Sequence, residues 1–560
     1  VTQEHNKLTF HTPSITGPIN SNSTHRSLQT NLVYRRPVTS PDLPRPVHLL
    51  SGGQHILPPE EVRSKFIQAT HSFGELLRPT FGPNGQRKLL WSKNGEMSVT
   101  RDGAKICAEL LVRHPAAKQL VELAAAQESA MGDGTTRAVL FASALMSQSA
   151  PLIDRGIHSL SIVEGWLKSL ELVLDHLTYS SASADSSNSE AMLRATLSGI
   201  GDYETRNHLL GLLSQMNEQF NHLDSRPLRD HVWMAKSRQG GVTDSSFVCG
   251  AIVEKRRPAR FGAESLTDAR VLLVRQGVEV SSARRSIEIE VGDAEGYHAM
   301  LDAQAAHLDQ LALVTENHQA DLILVGGPVH RRVLHQWLQQ NRIVLADVDH
   351  KELDRVALVT GARVADRLQV VEDEDIGKAT NVDLDARERN DEWEERWFIR
   401  SENSESITFD IGGQGDANIE ETVRQLHDAI RMLECTNADQ RSLAGGGAAE
   451  VSAAMALRHQ ALGFTRQERL IAEAFANALE SIPAILLENA GRSILDGLLE
   501  LRSAHTSDRP DTGILSTGLI GPMEDVRDPL IIVKHALTHG VECICSLLRV
   551  DRVIGRKGSV

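Results

Sequence analysis

The chain has 560 residues, 41% of them hydrophobic and 24% charged, which is too long for one compact core and fits roughly two to four globular domains. A formal net charge of −15 and an aromatic content of 4% argue against non-specific nucleic-acid binding and against base-stacking or aromatic-caged sites. Five cysteines with no CxxC pair suit a reducing compartment, and the absence of an apolar run of about 18 residues or of a leader-like N-terminus sets aside membrane spans and secretion.

Residues 1–54 are rich in Ser, Thr, Asn and Pro. They carry Lys7, Arg26, Arg35, Arg36 and Arg45 against Glu4 and Asp42, and show no period of 2 or 3.6, so they are expected to be disordered. A helical period over 60–77 stops before Pro79, and the turn Thr80-Phe81-Gly82-Pro83-Asn84-Gly85 follows. Residues 88–92 and 97–100 read as two strands joined through Asn94-Gly95. The turn Arg101-Asp102-Gly103 then leads into a helix over 104–112. A longer helix opens on Pro115, a favoured first helical position, and runs to about Ala130. It breaks at Gly132-Asp133-Gly134-Thr135-Thr136, where another helix begins at once, and the Ser-rich stretch 178–190 reads as a loop between domains.

Further along, strands at 321–325 and 343–346 alternate with helices at 329–339 and 351–360, which predicts a small parallel sheet. Gly326-Gly327-Pro328 lacks the spacing of a dinucleotide-binding loop and reads as a plain strand–helix turn. The helix over 418–434 sets Val423, Leu426, Ile430 and Leu433 on one face and Asp428 on the other. Taken alone, Asp428 is a solvated carboxylate.

Gly132 to Thr136 combines glycines, hydroxyls and a helix start, which together suit an anion. An aspartate among phosphate donors requires a cation between the two, and Mg²⁺ on a nucleotide is the usual one. Asp102, ending a strand nearby, could orient water toward a terminal phosphate. Each piece alone also reads as an ordinary turn.

In order and spacing these pieces resemble the nucleotide pocket of the group II chaperonins. The matching stretches are Thr80-Phe81-Gly82-Pro83, Thr100-Arg101-Asp102-Gly103, Arg113-His114-Pro115-Ala116-Ala117-Lys118 and Gly132-Asp133-Gly134-Thr135-Thr136. The likeness resumes at Ala444-Gly445-Gly446-Gly447-Ala448-Ala449-Glu450, at Leu487-Glu488-Asn489-Ala490-Gly491 and at Asp528-Pro529-Leu530, and it covers roughly residues 52 to 555. The resemblance implies an α+β multidomain chaperonin fold: a mostly helical equatorial ATPase domain (55–190 and 439–555), a small intermediate domain (191–238 and 373–438) and an α/β apical domain (239–372) with a built-in lid protrusion. Residues 1–54 and 556–560 would be tails. The lid would comprise 278–291, with Ile287, Ile289 and Val291 alternating along a strand, and the helix over 294–308.

By the same resemblance, ATP with Mg²⁺, and K⁺ as a further candidate ion, would be held by Thr80, Phe81, Gly82, Pro83, Gly103, Asp133, Gly134, Thr135, Thr136, Arg137, Gly446, Gly447 and Asp528. Asp133 would touch the metal, Asp528 would be the ribose contact, and Asp102 and Asp428 would be catalytic. Implied partners are unfolded or partly folded proteins and copies or paralogues of the chain in stacked cytoplasmic rings, with no separate lid co-chaperonin, nucleic acid or membrane. Two positions depart from the pattern: Arg137 stands for a third threonine and Asn84 for a lysine. Arg137 could bind phosphate or crowd the pocket. The departures keep two alternatives open, a hydrolytically weak assembly subunit of a mixed ring and a nucleotide-binding adaptor that forms no ring.

Overall fold

The structure, a computed structural model, describes residues 54–556 except 92–94, 96, 184–185, 201, 221–226, 238–239, 260–262, 280–293, 390–391, 403, 405, 414 and 508. Residues 1–53, the Asn94 of the hairpin turn, the strand expected through Ile287, Ile289 and Val291, and 557–560 lie outside the described residues.

Two stretches distant in sequence share one helical core. Helices Pro59–Leu77, Pro115–Met131, Thr135–Asp154 and Ser159–Ser180 bury Phe66, Leu120, Phe141 and Trp166 against Phe475, Leu479, Val533 and Ile544 of helices Arg466–Asn489 and Leu530–Leu548. The helix starts follow from local chemistry. Pro115 occupies the first turn while the His114 ring accepts the Ala116 N–H, and Thr465 and Glu468 form a reciprocal capping box. Helices Arg466–Asn489 and Leu530–Leu548 are, against the sequence reading, long and apolar enough to cross a membrane; 72% and 56% of their apolar windows are buried inside the protein, as in core helices.

A second core joins helices Ser186–Thr196 and Tyr203–Phe220 to strands Val232–Lys236 and Ile407–Ile411 and to helix Asp416–Asp439, through Met192, Leu213, Phe409, Leu426 and Leu433. The rest of the chain builds the larger part of a long sheet. From Ile407–Ile411 it continues through Ser246–Glu254, Glu392–Arg400, Gly377–Arg389 and Ser265–Val274 to Leu322–Val325 and Ile343–Leu345. The last two strands run parallel to their neighbours, with Leu322 opposite Ile343, as the strand–helix alternation predicts. Leu322 and Leu324 face helix His350–Thr360, while Ile323 and Val325 face helices Ala294–Asn317 and Arg331–Gln339. A strand buried on both faces has to be apolar throughout, which accounts for the unbroken run Leu-Ile-Leu-Val.

Among its described residues, the stretch 178–190 is not a loop. Helix Ser159–Ser180 runs through its beginning, Ala182–Ser183 pairs with Arg441 and Ser442, and helix Ser186–Thr196 takes up its end. Its serines favour a loop by propensity, but Leu177 and Met192, each in a separate core, pin the chain on both sides.

In the helical core, Glu480 is nearly enclosed and accepts two hydrogen bonds from Arg458 (2.7 and 2.8 Å) and others from Arg502 (2.7 Å to Nε), tying three helices together. Burial opposes ionisation, yet these bonds hold the carboxyl below its usual range. Glu480→Ala removes the carboxylate that both guanidiniums share, although Arg458 keeps Glu473 (2.9 Å) and Asn477 (2.8 Å), and should cost about 1.5–3 kcal/mol. Denaturant unfolding reads this directly, and an unchanged midpoint would contradict it.

Candidate functional site

Helix Pro115–Met131 ends in the left-handed Gly132, and Gly134, also left-handed, caps helix Thr135–Asp154. A side chain at Gly134 would meet Ile532 Cγ2 at 2.9 Å and Gln127 Nε2 at 3.1 Å, so the loop is pressed between two elements. Asp133 accepts the Gly134 N–H at 2.5 Å. Beside it, Asp102 caps helix Gly103–Glu109, accepting the N–H groups of Ala104 (2.9 Å) and Lys105 (3.3 Å). Gly103 lies so close to the next helix start that a Cβ there would stand 2.3 Å from Thr136 Oγ1. The expected phosphate loop and the expected water-orienting acid are therefore neighbours.

Asp428 arrives from the second core, on helix Asp416–Asp439. Three residues later, Arg431 lies over Gly132, with its Cδ 2.1 Å from where a Cβ would be. Arg431 also donates to the Glu128 carbonyl and lies 3.6 Å from the Glu128 carboxylate. Asp428 is half-buried rather than on the open face that its helix position alone suggests.

Burial raises the pKa of Asp428 well above the carboxylate range, and Asp102, Asp133, Glu128 and Glu421 raise it further. Asp133 is raised by burial and by Asp528 and Asp102, against the Gly134 hydrogen bond. Asp102 is raised by burial despite its two backbone donors. Glu128 is pushed up to about 7, first by burial and then by Asp102. Carboxyls that destabilise one another's charge are stabilised by a cation among them. Among the described residues no group of three or more His, Cys, Asp or Glu could hold a metal unaided. Mg²⁺ on a nucleotide needs only one or two carboxylates beside the phosphates and water, so this donor set fits it.

The remaining predicted residues lie around this centre. Thr80 is buried with its hydroxyl on the Leu77 carbonyl (2.7 Å). The turn of Phe81, Gly82 and Pro83 is held by Asn489, which donates to the Phe81 carbonyl (2.8 Å), and by Arg101, which donates to the Gly82 carbonyl (3.2 Å). Asn84 donates to the Ser516 carbonyl (2.9 Å), which leaves it an inter-segment tie. Gly446 and Gly447 are left-handed and lead into helix Ala448–Gln460. Arg137, expected among the nucleotide ligands, is engaged by acids of the protein itself. It pairs with Asp528 and, at 3.3 Å, with the buried Glu450, so Asp528 also has a protein partner. Sequence reasoning missed this cluster because Arg137 and Asp528 are 391 positions apart. It also missed Glu128, Glu421 and Arg431; the last two fall seven before and three after Asp428, a helical spacing that could have flagged them.

The TCP-1/cpn60 chaperonin family model matches residues 73–558. The chain belongs to that family. It is 28% identical over 520 residues to thermosome subunit alpha of Halobacterium salinarum, covering 91% of each chain. It is 28% identical over 523 residues to the thermosome subunit of Methanopyrus kandleri, covering 92% of this chain and 95% of the relative. Against thermosome subunit 1 of Haloferax volcanii the figure is 29% over 502 residues, covering 88% and 89%. At such identities it is a divergent chaperonin on the thermosome, group II side of the family.

In this chaperonin the raised Glu128 carboxyl makes a pH-dependent contribution of definite sign. Its contribution is fully present below its unfolded pKa, near 4.5, and is lost as pH rises through about 7. Without magnesium or nucleotide, the parent should therefore lose thermal stability relative to Glu128→Gln as pH rises from 5 to 7.5, a range set by these values. Parallel melting profiles for the two proteins would contradict the assignment.

Proposed function

We propose that this chaperonin subunit hydrolyses Mg–ATP and uses the reaction to fold proteins inside a ring. The observation that carries the reading is the meeting of Asp102 and Asp133, from the helical core, with Asp428, from the second core, in one acidic cluster where their charges raise Asp428. In this reading the helical core is the equatorial domain (55–190 and 439–555). The second core is the intermediate domain (191–238 and 373–438), and 239–372 is the apical domain with its lid. Mg²⁺, held by Asp133, would neutralise phosphate charge. The backbone of Gly82, Gly103, Gly134, Gly446 and Gly447, with the hydroxyls of Thr135 and Thr136, would hold the nucleotide.

Asp102 and Asp428 share the water: Asp102, held by two backbone donors, orients it, and Asp428 accepts its proton. Because Asp428 sits on another core, its approach depends on how that core docks, and turnover is thereby coupled to the movement that closes the lid. Ring assembly is supported by an apolar surface left open among the described residues: Leu89, Trp91 and Met97 stand exposed on the hairpin of Lys88–Trp91 and Met97–Thr100. Unfolded proteins would be the clients, and the cytoplasm the setting. The pairing of Arg137 with Asp528 and Glu450 favours a second reading, a slow subunit serving mainly in assembly of a mixed ring.

Asp428→Ala should leave ATP affinity nearly unchanged and lower turnover by roughly 10²–10⁴-fold, whereas Asp133→Ala should damage Mg²⁺-dependent binding itself. Steady-state turnover with calorimetric ATP titration separates the two. Parent-like turnover by Asp428→Ala would remove it as the base, and a parent that binds but never turns over ATP would favour the assembly reading. Analytical ultracentrifugation should show large closed particles; a monomer with and without nucleotide would contradict the ring.

A further inference from the structure

One buried polar side chain beside the acidic cluster has no part in the chemistry above. Gln127 is fully enclosed in helix Pro115–Met131, and both ends of its amide are used. Its Nε2 donates to the backbone carbonyl of Asp133 at 2.8 Å, and its Oε1 lies 2.6 Å from Nδ1 of His535. The direction of these bonds follows from what each group can do. A carbonyl only accepts, so the amide must turn its NH₂ toward Asp133. That leaves Oε1 facing His535, whose Nδ1 must carry the hydrogen. A reversed amide would set oxygen against oxygen at Asp133 and lose that bond, whichever tautomer His535 took.

His535 is not alone on its helix. Ile532, three residues earlier on helix Leu530–Leu548, is the atom a Cβ at Gly134 would strike, and positions three apart share a helix face. Asp528, just before that helix, pairs with Arg137 on the far side of the loop. One C-terminal segment thus touches the 127–137 region at three points: apolar contact at Ile532, an ion pair at Asp528, and a hydrogen-bond relay at His535. Behind His535 stands the ring of His539, with centroids 4.0 Å apart, and His539 lies 3.4 Å from Glu542.

We propose that Gln127 and His535 are positioning residues that clamp the Asp133 carbonyl from behind, so that the Asp133 carboxylate and the Gly134 and Thr135 N–H groups are held in register for a magnesium–phosphate group. The proposal rests on the nucleotide reading of this loop. The free energy comes from enclosure: a glutamine with no exposure has no water to replace a lost partner, so either bond, once broken, strands a buried polar atom. The clamp ties metal binding in the first half of the chain to the packing of the last long helix.

The test uses the full chain with Gln127→Leu, His535→Leu and His535→Asn; Asn sets an amide N–H near the position of Nδ1. Two quantities are measured: amide hydrogen exchange across 132–136 without ligand, and ATP binding and turnover as a function of free Mg²⁺. The Leu variants should exchange about tenfold faster across the loop and need about tenfold more Mg²⁺ for half-maximal ATP binding, the effect of one lost buried hydrogen bond. Their turnover at saturating Mg²⁺ should stay close to that of the parent, and His535→Asn should restore both quantities. Variants that melt earlier yet keep parental loop exchange and parental Mg²⁺ dependence would overturn the clamp, leaving a merely structural glutamine. If His535→Asn were as impaired as His535→Leu, the donor role of His535 would be overturned. A parent that binds no ATP at any Mg²⁺ concentration would overturn the nucleotide reading and with it the purpose assigned to the clamp, whatever the exchange shows.

Discussion

Carboxylates do not gather in a partly buried place without something to offset their repulsion. Asp102, Asp133, Glu128 and Asp428 are each raised by burial and by acidic neighbours. Much of the architecture around them reads as a means of assembling that cluster from separated segments. The helical core supplies Asp102 and Asp133 on adjoining helix starts, where backbone N–H groups hold them. The second core supplies Asp428 on a helix whose Arg431 lies over Gly132. Without a cation the arrangement is strained electrostatically; with one, the same charges become its binding energy.

The contact between the two cores is correspondingly economical. Arg431 meets the Glu128 carbonyl and carboxylate just before the loop glycine, so the residue that docks the second core also touches the acid whose pKa is near neutrality. On the other side, Arg137, Asp528 and Glu450 fasten the loop's own helix to the C-terminal half. The loop is thus firmly held by the core that contains it, while Asp428 comes from a neighbour. That asymmetry is what the proposed coupling between turnover and movement requires.

Much of this was legible in the sequence. Helix starts at Pro115 and Thr135, the hairpin strands and the alternating strands and helices of the sheet all follow local rules, and they appear within a few residues of the expected bounds. Three things were not legible, each for a physical reason. The serine-rich stretch 178–190 reads as a loop because propensity ignores the two cores that pin it. That helices Arg466–Asn489 and Leu530–Leu548 are apolar enough to cross a membrane escaped a search for unbroken apolar runs, because scattered polar residues interrupt them, while the three-dimensional core still buries most of both. The partners of Arg137 and Gln127 lie hundreds of residues downstream, and no local pattern encodes a pairing between halves of a nested chain. The resemblance to group II chaperonins pointed to the loop residues as nucleotide ligands, but it gave no hint that Arg137 among them would be paired with two acids.

The central claim is that a cation resolves the repulsion among acids drawn from two cores, and proton linkage tests it most directly. Titrating Mg–ATP into the protein near pH 6.5, in buffers of differing ionisation heat, counts the protons that leave as the cation arrives. The account predicts net release from the protein, diminished in Asp428→Asn, because the carboxyls that burial and acidic neighbours keep protonated ionise as the cation arrives. Binding with no proton release at any pH, or with the same release in Asp428→Asn, would contradict it.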